Sequence, residues 1–234
     1  MQKSKQLTRS QVEILYSQSA VTFLFPSFIA IVLAATIWEV ADRTALLAWL
    51  AVVFLYSIFR YVMLWKYNKT ELTPENVEQW LNIFIASACV SGVMWGLAVI
   101  ILIPTEGKSA IEFTLYSGIT LLAVSGLVAG ATISYAVNLS VLLFYIFPAL
   151  LPPSMYMISR GDVYSSALGG FVLLYCFFVG TAGYRMNRQL MFYISKQHEL
   201  SKLKRQHQKL LLMYEKLSGT PRERRKKPRT KTAA

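Results

Sequence analysis

Long stretches without a charged residue are the feature that most constrains this chain. There are four such stretches: Ile14–Trp38, Gln79–Thr105, Phe113–Ser159 and Val163–Tyr184. A helix rises about 1.5 Å per residue, so roughly 20 apolar residues cross a hydrocarbon core about 30 Å thick. Each stretch is long enough, and we therefore expect an integral membrane protein.

The composition points the same way. Of the 234 residues, 55% are hydrophobic and 15% are charged, whereas soluble domains carry about 25% charged residues. This excludes a disordered chain and a water-soluble enzyme core. Cys89 and Cys176 both lie in apolar stretches, and two thiols cannot complete a four-ligand zinc site. We expect no catalytic residue, no cofactor and no metal.

The predicted fold class is an all-α membrane protein with six transmembrane helices. The expected spans are residues 21–39, 45–64, 80–103, 113–133, 139–158 and 163–184. The uncharged run from Phe113 is too long for one span, and the polar cluster Ser134–Ser140 supplies a break. The predicted domains are a cytoplasmic arm (1–19), the six-helix bundle (20–184), a cytoplasmic helix (185–217) and a disordered basic tail (218–234).

The positive charge is concentrated at one end of the chain. Up to Tyr184, nine Lys or Arg balance nine Asp or Glu, whereas residues 185–234 hold fifteen basic residues against three acidic ones. With six spans both termini lie on one side, and the rule that basic loops stay in the cytoplasm places them there. We expect residence in a bacterial inner membrane.

Two pairs of glycines have the spacing of close helix packing. Gly92 and Gly96 lie in the third predicted span, and Gly126 and Gly130 lie in the fourth. Because glycine has no Cβ, such a face lets two helix backbones approach closely. The glycines could pack the third span on the fourth, or they could form a seam between two copies of the chain.

Polar residues within the spans are few. No ionisable residue lies at the middle of a predicted span, which argues against a pump or a channel. Arg60, near the inner end of the second span, is expected to extend its charge to the cytoplasmic interface. The other polar candidates are Asn82, Asn138 and the turn residues Glu39 and Asp42.

The segment after the last span has the pattern of a coiled coil. Residues 185–217 contain no Gly or Pro, and Leu203 begins a leucine repeat of seven residues. The expected seam positions are Leu200, Leu203, Leu210, Tyr214 and Leu217. A parallel homodimer follows from this pattern, and a single helix lying on the membrane surface is the alternative.

The predicted tail is strongly basic. Its expected lipid-binding residues are Arg222, Arg224, Arg225, Lys226, Lys227, Arg229 and Lys231. A basic segment tethered at the inner surface attracts anionic lipid headgroups by about 1 kcal/mol per residue. Nucleic acid and an acidic protein are less favoured partners because the membrane is the local polyanion.

Short motifs along residues 14–217 resemble those of a known family. They are Leu15-Tyr16-Ser17-Gln18, Trp49-Leu50, Arg60-Tyr61, Trp80, Gly92, Trp95-Gly96, Gly126, Pro148–Pro152, Gly161-Asp162 and Asn187. This order resembles the N-terminal six-helix membrane sensor region of proteobacterial hybrid histidine kinases and GGDEF/EAL cyclic-di-GMP proteins. The resemblance implies that six helices feed a signalling coiled coil, which an output domain follows.

The output domain is expected to be absent. His198-Glu199 begins like a kinase phosphoacceptor motif, but the Thr-Pro of that motif is missing, as are an ATP-binding segment and the GGDEF and EAL motifs. The sequence therefore favours a non-catalytic sensor or adaptor that passes a membrane or periplasmic signal to a cytoplasmic signalling protein. The alternatives are a structural or interaction protein, such as a bacterial effector placed in host membranes, and a kinase remnant without its output.

The topology can be tested with reporter fusions after Asn68, Glu106, Gly161 and Ala234. Because the basic residues cluster on one predicted side, fusions at Asn68 and Ala234 should report the cytoplasm and those at Glu106 and Gly161 the periplasm. A periplasmic signal from Ala234 would refute the six-span topology.

Overall fold

The fold of the described chain is entirely helical. A computed structural model describes residues 2–17, 19–104 and 106–218, without the side chains of residues 2–6, 19–24, 198 and 215–218. The helices are α1 (Gln2–Ser17), α2 (Ser19–Ile37), α3 (Arg43–Lys69), α4 (Val77–Ile101), α5 (Ala110–Tyr135), α6 (Leu139–Ser159) and α7 (Val163–Ser218).

Most of these helices have the length and composition of membrane spans. Among the described residues, α3, α4, α5, α6 and α7 are long and apolar enough to cross a membrane, and the apolar part of α2, Phe25–Ile37, is shorter. The expectation of an all-α, multi-pass membrane protein is thus confirmed at this level. The tail residues Arg222 to Lys231 lie outside the described part of the chain.

The observed helices follow the predicted spans closely, with one addition. The sequence predicted an arm before the first span, whereas residues 2–17 form α1, and its Val12, Leu15 and Tyr16 are buried. The signal was weak because α1 is mostly polar. Its buried residues occur at helical spacing, and this is the trace in the sequence that could have revealed it.

Side chains fix where four helices begin. The capping residues are Asp42 for α3, Ser109 for α5, Asn138 for α6 and Asp162 for α7. At α7, the Ser165 backbone N–H donates to the Asp162 carboxylate at 2.8 Å. Hydrogen bonds from Ser165 hold the pKa of Asp162 below its usual range, so the carboxylate caps the helix as an anion at neutral pH. Gly161 supplies the turn before it with φ 75°.

The most extensive helix contact in the bundle joins α4 and α6. A Cβ added at Gly92 would collide with the Tyr145 carbonyl, and one at Gly96 would collide with the Pro148 carbonyl. Only glycine therefore allows the two backbones to lie this close. In a membrane, such close packing is a main source of helix association.

Two prolines of α6 affect the backbone carbonyls of this seam. Proline has no N–H, so Pro152 and Pro153 cannot donate to the carbonyls of Pro148 and Ala149 one turn earlier. These two carbonyls are the ones that the backbone at Gly96 approaches. Cα–H groups donate weakly to such carbonyl oxygens, so the glycine face of α4 lies against the part of α6 that has lost helical hydrogen bonds.

The structure corrects the expected partner of these glycines. Gly92 and Gly96 lie against α6 instead of against the fourth span, α5. Gly126 and Gly130 have no described atom within 4 Å of an added Cβ, so no close-packed seam forms at them among the residues that the structure describes. They line a cavity, described below.

The chain divides into two compact units, one up to Met191 and one from Phe192 onwards. In the second unit, the described apolar residues of the expected coiled coil are exposed: Leu200 by 56%, Leu203 by 60%, Leu210 by 64% and Tyr214 by 71%. Leu211, Leu212 and Met213 are exposed as well. The residues that the structure describes leave this apolar surface uncovered, and the side chain of Leu217 lies outside the description.

The backbone contact between α4 and α6 predicts a sharp difference between two glycine substitutions. Gly96→Val places a side chain against the α6 backbone and should lower the free energy of unfolding by about 1–3 kcal/mol. Gly170→Val in α7 is the matched control, because an added Cβ there meets no described atom within 4 Å. SDS titration measures the free energy of unfolding of both purified variants. Equal destabilisation by the two substitutions would contradict the close backbone packing of α4 on α6 at Gly96.

Candidate functional site around a buried arginine

Arg60 lies inside the bundle. Its side chain is on α3, a candidate membrane span, and the residue is only 4% exposed. The expectation that Arg60 extends its charge to the cytoplasmic interface is therefore wrong. A charged side chain buried in a membrane span is costly and marks a functional site in most cases.

Aromatic residues from three helices surround the guanidinium. Nη1 of Arg60 donates to the hydroxyl of Tyr135 on α5 at 3.1 Å. The Cζ atom lies 5.5 Å from the ring centre of Phe84 on α4 and 5.9 Å from that of Tyr56, one turn earlier on α3. Rings at these distances attract a cation through their negative faces, so the cluster offsets part of the cost of burying the charge.

The rings are themselves held in place. The Tyr56 hydroxyl donates to the backbone carbonyl of Ser87 on α4. Tyr135 packs edge-on against Phe84, with 5.7 Å between ring centres, and against Tyr145 of α6 at 5.6 Å. Four helices thus fix the surroundings of one charge, and the geometry depends on the α4–α6 packing because Phe84 and Tyr145 come from those helices.

The end of α5 adds to the electrostatics of the site. Tyr135, which accepts the hydrogen bond from Arg60, is the last residue of α5. The C-terminal end of a helix carries about half a negative charge, which stabilises a nearby cation. The end of α5 therefore favours a cation at this site.

A cavity of about 170 Å³ adjoins Arg60. Its polar wall includes Arg60, Ser91, Ser134, Tyr135 and Tyr145, and its apolar wall includes residues of α2 and α5. Gly126 and Gly130 of α5 also line it. Because glycine has no side chain, these two positions leave space for the cavity on the α5 side.

The cavity is partly open, and Phe25 and Pro26 of α2 form part of its wall. Among the described residues that line it, none is acidic.

A second aromatic cluster joins α1 to the same site. The ring of Tyr16 stacks on Tyr67 of α3 at 3.8 Å and meets Phe84 edge-on at 5.2 Å, and its hydroxyl donates to the Trp80 carbonyl at 3.2 Å. Burial raises the pKa of Tyr16, so this hydroxyl stays protonated and remains a donor. Phe84 contacts both Tyr16 and Arg60, so α1 and the arginine site share a ring.

A polar cluster contacts α7 near its middle, just after the apolar stretch that ends at Tyr184. Asn187 of α7 donates to the Ala136 carbonyl at 2.7 Å, at the end of α5. Gln11 of α1 donates to the Val137 carbonyl at 2.9 Å and accepts from Asn138 at 3.3 Å. This cluster brings together α1, α7 and the α5–α6 turn, and it gives Asn138 a structural place that the sequence did not reveal.

The remaining residues singled out in the sequence are scattered. Asn82 and Glu39 are exposed and are not among the described residues that line the cavity beside Arg60, and Asp42 caps α3. Within the described residues, no three His, Cys, Asp or Glu side chains are grouped so that they could hold a metal ion.

Comparisons with protein-family models, curated proteins and solved structures find no match to this chain. The function must therefore be argued from the site and from the helices that carry it.

The hydrogen bond from Arg60 can be tested with a change that removes a single atom. Tyr135→Phe deletes the accepting hydroxyl and keeps the ring, and it should lower the free energy of unfolding by about 1 kcal/mol. The control is Tyr156→Phe, since the Tyr156 ring packs on Phe113 and its hydroxyl has no hydrogen bond to another described residue. A larger loss in the control than in Tyr135→Phe, measured by SDS titration, would refute this role.

Proposed function

We propose that the chain is a non-catalytic sensor or adaptor of the bacterial inner membrane, with six spans and both termini in the cytoplasm. The observation that carries this proposal is α7. It begins as an apolar helix at Val163 and continues unbroken to Ser218. One helix thus belongs both to the bundle and to the exposed segment beyond Met191.

The sixth span of this proposal is α2. Its 19 residues, Ser19–Ile37, correspond to a length of about 28 Å, close to the thickness of the hydrocarbon core. Its described apolar part is shorter, so the count of six depends on the whole helix. The positive-inside rule then places Lys66, Lys69 and the basic end of α7 in the cytoplasm.

The polar cluster around Asn187 of α7 supports the transmission of a structural change along this helix. Asn187 is bonded to the end of α5, the helix whose Tyr135 accepts from Arg60. A shift of α5 would therefore move the hydrogen-bond partner of α7 directly. Sensor modules need this kind of link between a site in the bundle and an exposed helix.

The exposed end of α7 supplies a surface for output. Its apolar residues Leu203 and Leu210 are not covered by any part of the chain that the structure describes, and a second copy would bury them in a parallel coiled coil. A cytoplasmic signalling protein would then recognise the paired helices.

A structural role with lipid binding is the second candidate. Beyond Met191, five basic residues of the described part of α7 are exposed: Lys196, Lys202, Lys204, Arg205 and Lys209. They would favour a helix that lies on anionic lipid. The two candidates differ in whether Leu210 faces another chain or the membrane.

Disulfide cross-linking in membranes distinguishes these candidates. In a background with Cys89→Ala and Cys176→Ala, we expect Leu210→Cys to cross-link between chains and Lys209→Cys to do so less, because only position 210 lies in the seam. Equal cross-linking at both positions would favour the helix on the membrane surface.

Coupling is tested in the same background by adding Asn187→Leu. Loss of the hydrogen bond to the Ala136 carbonyl should change the cross-linking rate at position 210 by roughly fivefold or more, the lower range of coupling between sites. Asn82→Leu, at an exposed position of α4, is the matched control and should leave the rate unchanged. If Asn187→Leu leaves the cross-linking rate at position 210 unchanged, this result would contradict a sensor and support a structural protein.

A further inference from the structure

We infer that the cavity beside Arg60 binds a carboxylate with an apolar chain. The binding site is argued from the bundle alone. Its role as the stimulus rests on the function proposed above, in which α5 and α7 are linked.

The charge of the cavity selects an anion. Arg60 is on its wall, and no Asp or Glu is among the described lining residues. The guanidinium on this wall therefore favours a ligand with a negative charge.

The polar groups of the wall fit a carboxylate. A guanidinium presents its N–H donors as a planar fork that matches the two oxygens of a carboxylate. The Tyr135 hydroxyl accepts from Arg60, which leaves its own hydrogen to donate to an anion. The Ser91 side chain, 4% exposed, adds another hydroxyl group to the wall.

The rest of the wall fits an apolar chain. Leu127 and Ala131 of α5 and Phe25 of α2 line the cavity. An inorganic oxyanion such as sulfate would bury oxygens against these residues without hydrogen bonds, which is costly. A carboxylate places its charge at Arg60 and its carbon atoms against the apolar wall.

The volume limits the length of the chain. A cavity near 150 Å³ accommodates a ligand of roughly six non-hydrogen atoms, and the cavity here measures about 170 Å³. Butyrate has this size. A longer chain must extend out of the cavity, which is partly open. The two sources of the ligand, a small solute and a membrane fatty acid, therefore differ in chain length.

The test measures thermal unfolding of the full chain in nanodiscs with four additives at equal ionic strength: butyrate, octanoate, butan-1-ol and sulfate. Saturating butyrate should raise the Tm by on the order of 5 °C. Butanol lacks the charge and sulfate lacks the chain, so both should raise it less. A rise with octanoate that exceeds the rise with butyrate would assign the site to fatty acids, and the reverse would assign it to small carboxylates.

Variants of two kinds locate the binding site. Arg60→Met should weaken binding about 10- to 100-fold, the value of a hydrogen bond to a charged group. Gly130→Val fills the cavity without touching Arg60 or meeting a described atom within 4 Å of the new Cβ, and it should abolish the Tm rise. Gly170→Val, outside the cavity, should keep it.

Three results would overturn the inference. The first is an equal Tm rise with sulfate or butanol, and the second is the absence of any rise with both carboxylates. The third is a butyrate effect that persists in Gly130→Val, which decides the question even if Arg60→Met does not fold. None of these results affects the cross-linking test of the proposed function, so the two can fail separately.

Discussion

The close approach of the α4 and α6 backbones is the contact on which the remaining geometry depends. In a membrane, apolar side chains gain little by contacting one another instead of lipid. Helices therefore associate where their backbones can pack closely. Gly92 and Gly96 provide that fit on α4. On α6, Pro152 and Pro153 leave carbonyls without helical donors on the facing surface. Two features that weaken isolated helices together define the seam.

The arginine site is a consequence of this seam. Phe84 and Ser87 of α4 and Tyr145 of α6 surround the cluster that encloses Arg60. If the two helices moved apart, the rings would lose their edge-on contacts and the charge would lose its surroundings. A buried charge of this kind is tolerated only where several helices are fixed around it, which is why it lies beside the tightest contact of the bundle.

The sequence predicted the helices well and the site poorly, for physical reasons. Span positions follow from charge-free runs, which depend on each residue and its neighbours alone. The glycine spacing at Gly92 indicated close packing, but it could not identify α6 as the partner, because spacing describes one face of one helix. The environment of Arg60 could not be predicted from the sequence, because Phe84 and Tyr135, which form it, are distant from Arg60 along the chain. α1 was missed because its burial is confined to a few apolar residues on a polar helix.

The position of Phe84 has a consequence for how the two ends of the first unit behave. Its fully buried ring contacts Tyr16 of α1 on one side and the Arg60–Tyr135 pair on the other. The docking of α1 and the packing around the arginine therefore share one side chain. Coupling between two sites is reciprocal, so a change at Arg60 that displaced this ring would also disturb the docking of α1, and a change in α1 that displaced it would disturb the surroundings of Arg60.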